Sequence, residues 1–147
     1  MMKFRLFIPF VAALLLVSCG GRGSNRNTAE RGEGGYIHVV ELDAIRAAGI
    51  HGDTVSLGNI RSGEVIEYRL GVKNTDSVSF IILNMTTTCG CATMDYDKQP
   101  IKPGETATIT VQYNSRGQSG FQWKPIHFIT SLNSKPYPVY LTAEVSN

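Results

Sequence analysis

The feature that most constrains this chain is a succession of short segments from Thr54 to the C-terminus, in which apolar and polar residues alternate and turn-forming residues intervene. Successive side chains of a β-strand point to opposite faces, so a period of two buries one face and leaves the other in water. In Val65–Val72, Ile66, Tyr68, Leu70 and Val72 fall on one face and Glu67, Arg69 and Gly71 on the other. After Pro103-Gly104-Glu105, Ala107, Ile109, Val111 and Tyr113 alternate with Thr106, Thr108, Thr110 and Gln112. Near the end, Val139, Leu141, Ala143 and Val145 alternate with Tyr140, Thr142 and Glu144. Val78–Met85 is denser in apolar residues, as a more fully buried strand would be, and Val55–Ile60 precedes the turn at Arg61-Ser62-Gly63. No helical period follows residue 50. This pattern predicts an all-β domain over 54–147, an immunoglobulin-like sandwich of about seven strands. Pro125 cannot donate to a ladder, so part of Phe121–Thr130 is expected at an edge or bulge.

The N-terminus is of another kind. Lys3 and Arg5 precede an apolar run from Leu6 to Val17, the plan of a secretory signal. At about a dozen residues the run is short of the ~20 that a spanning helix needs. Leu16-Val17-Ser18-Cys19 resembles a lipobox, which implies removal of residues 1–18 and acylation of Cys19. A multiply acylated cysteine would hold a soluble domain on a membrane, since each buried methylene contributes about 0.8 kcal/mol. From Gly20 to Gly35 there is no large apolar side chain, so residues 19–35 read as the lipidated cysteine and a flexible tether. Residues 36–53 are ambiguous: Tyr36–Val40 suits a strand and Glu41–Ala48, before Gly49, suits a short helix.

Losing the leader changes the charge argument. The whole chain has 14 Lys and Arg against 12 Asp and Glu, and Lys3 and Arg5 leave with the signal. The balanced remainder has no basic stripe, so no nucleic-acid partner is expected. Of three cysteines, one serves the lipid, which leaves Cys89 and Cys91 as an even pair in a disulfide-permissive compartment.

Several short stretches carry a family resemblance. Ser56-Leu57-Gly58-Asn59-Ile60, Gly63-Glu64, Val72-Lys73-Asn74-Thr75, Thr88-Cys89-Gly90-Cys91, Ile101-Lys102-Pro103-Gly104-Glu105 and Ile109-Thr110-Val111-Gln112-Tyr113 occur in this order. They resemble the bacterial domain-of-unknown-function family numbered fifteen seventy-three, which is similar to the Ig-like domains of abnormal-spindle and Hydin proteins. The resemblance spans roughly Val55 to Val145. Leu57 stands where that family has phenylalanine and Ala92 where it usually has threonine. The resemblance implies the fold and an exported or lipoprotein character, and no biochemical activity.

Three readings of the Cys-Gly-Cys loop compete. Cys89 and Cys91 could form a tight disulfide or pack as small side chains, with Gly90 supplying backbone freedom for the bend. They could instead be thiolates for a soft ion such as Cu(I), helped by the thioether of Met94 or Met85. Or they could be a labile redox couple, although the Cys-x-x-Cys at a helix start that lowers a thiol pKa is missing. A bridge between residues two apart does little for global stability, so local shape or chemistry must explain the pair.

His38, His51 and His127 lack metal-ligand spacing, and Asp95 and Asp97 read as solvated loop carboxylates. Phe121, Trp123 and Tyr137 belong to core or edge; an exposed aromatic cluster there would mark a protein-binding face. No nucleophile elbow, phosphate loop or His-Glu-x-x-His motif is present. The expectation is therefore a non-enzymatic, membrane-anchored module that binds another protein or scaffolds an assembly in the cell envelope and needs no cofactor. The alternative is a Cu(I)- or thiol-handling protein. Gly20, rather than aspartate, after Cys19 points to the outer membrane, with the domain facing the periplasm.

Overall fold

The computed structural model describes residues 35–49 and 51–147; the expected signal, Cys19 and most of the tether lie outside the described residues. The first strand, β1 (His38–Leu42), leads into a short helix, α1 (Ala44–Ala48). Seven more strands follow: β2 (Asp53–Arg61), β3 (Val65–Asn74), β4 (Ile82–Thr87), β5 (Ala92–Tyr96), β6 (Thr106–Asn114), β7 (Gly120–Thr130) and β8 (Asn133–Ser146). They make two four-stranded sheets, β1-β3-β6-β5 and β2-β8-β7-β4, so the chain is an all-β sandwich.

The alternating residues decide which faces meet. Leu70, Val72, Ile109, Val111 and Tyr113 of the first sheet are buried, as are Val55, Ile126, Phe128, Val139 and Leu141 of the second. Each such side chain contributes about 1.5–3 kcal/mol by leaving water, which is why the register is well specified.

There are eight strands, not about seven, because the ambiguous lead-in joins the sandwich. β1 pairs in parallel with β3, from His38 opposite Leu70 to Leu42 opposite Asn74, and buries Val40 and Leu42 completely. Asp43 N-caps α1 by accepting from Arg46 N at 2.7 Å, and Asp76, from the loop after β3, accepts from Ala44 N at 2.8 Å. The bond from Ala44 N, with a second from Ser77 N, holds the Asp76 carboxyl below its ordinary pKa. Just past the helix, Gly52 runs against β8 so closely that a Cβ there would lie 1.9 Å from the carbonyl oxygen of Pro138.

Pro125 sits in β7 opposite Tyr140 of β8, whereas β4 pairs with β7 only from Ile126 onward. The N-terminal half of β7 thus has one neighbour, and a missing N–H on its open side breaks no ladder bond. The proline does mark a local edge, within a strand that is otherwise central.

Beyond Thr87 the chain leaves the second sheet, turns a corner through residues 88–91, and enters the first as β5. At one end of the sandwich a single buried amide organises the loops. Asn74 donates from Nδ2 to the carbonyls of Val78 (2.8 Å) and Ile101 (2.7 Å), and its Oδ1 accepts from Asp76 N at 2.8 Å. Its backbone N–H bonds Glu105 and its carbonyl accepts from Gly104, whose φ of +79° suits the turn at Pro103-Gly104-Glu105. The sequence signatures Val72-Lys73-Asn74 and Pro103-Gly104-Glu105 are therefore two halves of one structural joint.

Candidate functional site

Three places concentrate chemistry: the Cys-Gly-Cys corner, the outer face of the second sheet, and a polar cluster around Asp53.

At the corner, Cys89 and Cys91 are joined by a disulfide with their Cα atoms 5.1 Å apart. Both are half-buried and pack on the margin of the core. The flanking backbone is pinned independently, because β4 pairs with β7 as far as Thr87 opposite Ile126 and β5 pairs with β6 from Ala92 opposite Tyr113. Asn114 N also donates to the Cys91 carbonyl at 2.8 Å. The Thr87 hydroxyl lies 3.8 Å from Cys89 Sγ, and because a disulfide sulfur carries no proton the hydroxyl is the donor.

Gly90 does not serve the bend in the way the sequence suggests. Its φ is not positive, and a Cβ there would meet nothing within 4 Å, so the loop is simply open to solvent at this point. Met94 lies in β5 and packs at the core margin, opposite Val111 in register. Met85 is buried in β4. Among the described residues no three His, Cys, Asp or Glu side chains group as a metal site.

On the outer face, β7 presents Phe121, Trp123, Pro125 and His127 in a row, while its opposite face buries Ile126 and Phe128. Phe121 is 68% and Trp123 53% exposed. The Trp123 ring stacks on Tyr140 of β8, with centroids 4.7 Å apart and 19° between planes. Pro138 stands beside them, opposite His127. Single exposed apolar side chains are ordinary on a protein surface, whereas contiguous aromatic and proline residues form a patch. Tyr137, grouped with Phe121 and Trp123 in the sequence, points the other way and is buried.

Tyr137 belongs to the third place. Its hydroxyl donates to Asp53 Oδ2 at 2.8 Å and accepts from Arg46 Nη2 at 3.1 Å, and Arg46 also reaches both Asp53 oxygens. His38 Nε2 lies 3.6 Å from Asp53 Oδ1. Burial raises the Tyr137 pKa above its ordinary value. The cluster ties β1 and α1 to β2 and β8, closing one side of the sandwich. These residues are scattered from 38 to 137, so no local motif announces them. Tyr140 also escapes a reading by motif; its only signal is an aromatic at an outward position of a strand that otherwise alternates cleanly.

The opposite sheet has a different outer face, carrying Glu67, Arg69, Thr108, Thr110 and Gln112. Tyr36 folds onto it over Gly71, bonds Thr108 Oγ1 at 2.9 Å, and lies under Arg69 at 5.2 Å. The chain therefore enters the sandwich on the face opposite the aromatic row. His51, Asp95 and Asp97 are exposed, and Asp97 accepts from Gln99 N nearby.

A two-sheet β-sandwich with an exposed aromatic face and a corner disulfide is the class of protein that this geometry defines. Residues 49–145 match the profile described as "Protein of unknown function (DUF1573)", and the chain belongs to that family. No curated protein gives a significant match. Among solved structures it is similar to a protein of unknown function from Porphyromonas gingivalis W83, at 17% identity and TM-score 0.55, covering 63% of this chain and 44% of that one. It also resembles part of a family 123 glycoside hydrolase from Clostridium perfringens, at 10% identity and TM-score 0.53, over 65% of this chain and 23% of that one. A third is the secreted serine protease VesC from Vibrio cholerae, at 13% identity and TM-score 0.50, over 62% and 21%. The chain thus matches less than half of each of those structures, and identities this low speak for the fold alone.

Proposed function

We propose that this protein is a lipid-anchored, non-enzymatic module of the cell envelope that binds another protein through the outer face of β7 and β8. The observation that carries the reading is the exposed pair Phe121 and Trp123, continued by the half-buried Pro125, with Tyr140 stacked on Trp123. Aromatic side chains supply large contact area at low entropic cost, and Trp and Tyr dominate the energetics of protein interfaces. None of the exposed rings is needed between the sheets, where Ile126 and Phe128 of the same strand already fill the core. In this reading the anchor is Cys19, on the outer membrane and facing the periplasm. Tyr36, near the start of the described residues, packs on the opposite sheet and leaves the aromatic face uncovered on its side of the sandwich.

The test is the native size of the full-length protein in membranes solubilised with mild detergent, compared with a Phe121→Ser/Trp123→Ser variant. The reading expects a complex larger than the monomer that collapses to monomer size in the variant, with thermal stability retained. A wild-type chain that runs as a monomer, or a complex untouched by the double substitution, contradicts it. Anchoring is tested separately by Cys19→Ser, which should move the protein from the membrane to the soluble fraction.

A further inference from the structure

We infer that the Cys89–Cys91 disulfide is a thiol-exchange site that takes two electrons from an external dithiol, with Cys91 as the attacked sulfur and Thr87 positioning the leaving group. The inference is independent of the aromatic face. It starts from what the bond does not do: it joins residues two apart, at a corner whose two ends are already fixed by the β4–β7 and β5–β6 ladders. A crosslink restricts an unfolded chain more the longer the loop it closes, so this one, across two residues, adds little to folding stability. Its removal leaves the corner backbone in place, and the two sulfurs remain neighbours when reduced. Such a pair can open and reclose without a conformational change.

Access and polarity give the reaction a direction. Thr88 and Gly90 are exposed, and among the described residues nothing lies within 4 Å of where a Cβ on Gly90 would sit, so a thiolate can approach the corner from solvent. The two sulfurs are not equivalent, because the Thr87 hydroxyl donates toward Cys89 Sγ at 3.8 Å. A donor aimed at a sulfur stabilises its thiolate, and the better-stabilised thiolate is the better leaving group in disulfide exchange. Attack therefore falls on Cys91.

The partner's first thiolate forms a bond to Cys91 Sγ while the Cys89–Cys91 bond breaks. Cys89 departs with the electron pair, accepts the Thr87 hydrogen bond, and takes a proton from solvent. The partner's second thiol, losing its proton, then attacks the partner's own sulfur in the mixed disulfide and releases Cys91 as a thiolate, which is protonated in turn. The partner dithiol ends oxidised to a disulfide and Cys89 and Cys91 end as two thiols.

The test uses the full-length chain purified without reductant. Reduced glutathione is added, the mixture is quenched with iodoacetamide, and peptide fragmentation locates the glutathione and the alkyl group. The expected result is glutathione on Cys91 and alkylation on Cys89, formed without denaturant. Reduction by dithiothreitol should be about fivefold slower in Thr87→Val and restored in Thr87→Ser, as expected for removing one hydrogen bond from a leaving thiolate. In the reduced chain, the pH profile of Cys89 alkylation should move upward in Thr87→Val, which a purely structural role would not produce. Glutathione on Cys89, resistance to dithiothreitol until the chain is unfolded in urea, or Thr87→Val reduced at the wild-type rate would each overturn the inference. The position of the glutathione and the reduction of the folded wild-type chain by dithiothreitol need no variant, so a Thr87 substitution that fails to fold leaves the proposal testable.

Discussion

Asn74 offers a quantitative test of how this sandwich closes. The side chain is fully buried and makes three hydrogen bonds, two as donor to Val78 and Ile101 and one as acceptor from Asp76 N. Asn74→Ala removes all three. At roughly 1 kcal/mol net for each bond, the expected loss is about 3 kcal/mol. It falls short of the full desolvation cost because Ile101 keeps its bond from Phe80 N and Val78 lies at the surface. For a domain of this size, 3 kcal/mol corresponds to a fall in Tm of about 12 °C or more.

Asn74→Asp sharpens the argument. The shape is kept and the acceptor toward Asp76 N survives, but an ionised carboxyl would face two carbonyl oxygens at the distances Nδ2 now spans. The introduced carboxyl should have a folded-state pKa above its unfolded value, so the folded state binds the extra proton and stability falls as pH rises through the unfolded pKa toward the folded one. Asn74→Asp should therefore be less stable than Asn74→Ala at neutral pH and recover relative to it near pH 4. Urea unfolding of the three chains at both pH values checks this. Loss of less than about 1 kcal/mol in both variants, or no pH dependence of their difference, would refute the reasoning.

Other outcomes follow from single contacts. Gly52→Ala should cost about 3 kcal/mol because its Cβ would meet the backbone of Pro138, whereas Gly90→Ala should leave Tm unchanged; thermal melts of both decide. Asp76 has a lowered folded-state pKa, so its contribution is present above the unfolded pKa and is lost as pH falls through the folded one. Asp76→Asn should accordingly flatten the acid limb of the stability profile, and an unchanged limb would count against the Ala44 and Ser77 bonds. The Tyr113 hydroxyl is buried with no hydrogen-bond partner among the described residues, and burial raises its pKa. Tyr113→Phe should be neutral or stabilising by up to about 1 kcal/mol in urea unfolding, and a loss of that size would reveal a partner for the hydroxyl.

Much of the sandwich was legible because β3, β6 and β8 alternate cleanly, so each has only one face that can meet a core. β1 was not, since five residues pairing in parallel at an edge leave too short a pattern to separate from the helix that follows. The orientation of β7 was also undetermined: Phe121, Trp123 and Pro125 stand on one parity and Ile126 and Phe128 on the other, and either could have been the core face. Only the register with β8 and β4 settles it, placing the larger rings outside. The pair Cys89 and Cys91 was visible, but spacing alone could not choose among bond, ligand and couple. What singles out one sulfur is Thr87, whose hydroxyl reaches Cys89 only because β4 ends there.

The central claim is that the aromatic face of β7 and β8 is kept for contact with another protein. Site-specific photo-crosslinking in living cells tests it most directly, with the photoreactive residue placed at Phe121 and, for comparison, at Gln112 on the opposite sheet. The account predicts one discrete adduct from position 121, abolished by Trp123→Ser, and none from position 112. No adduct at 121, or the same adducts from both faces, would contradict it.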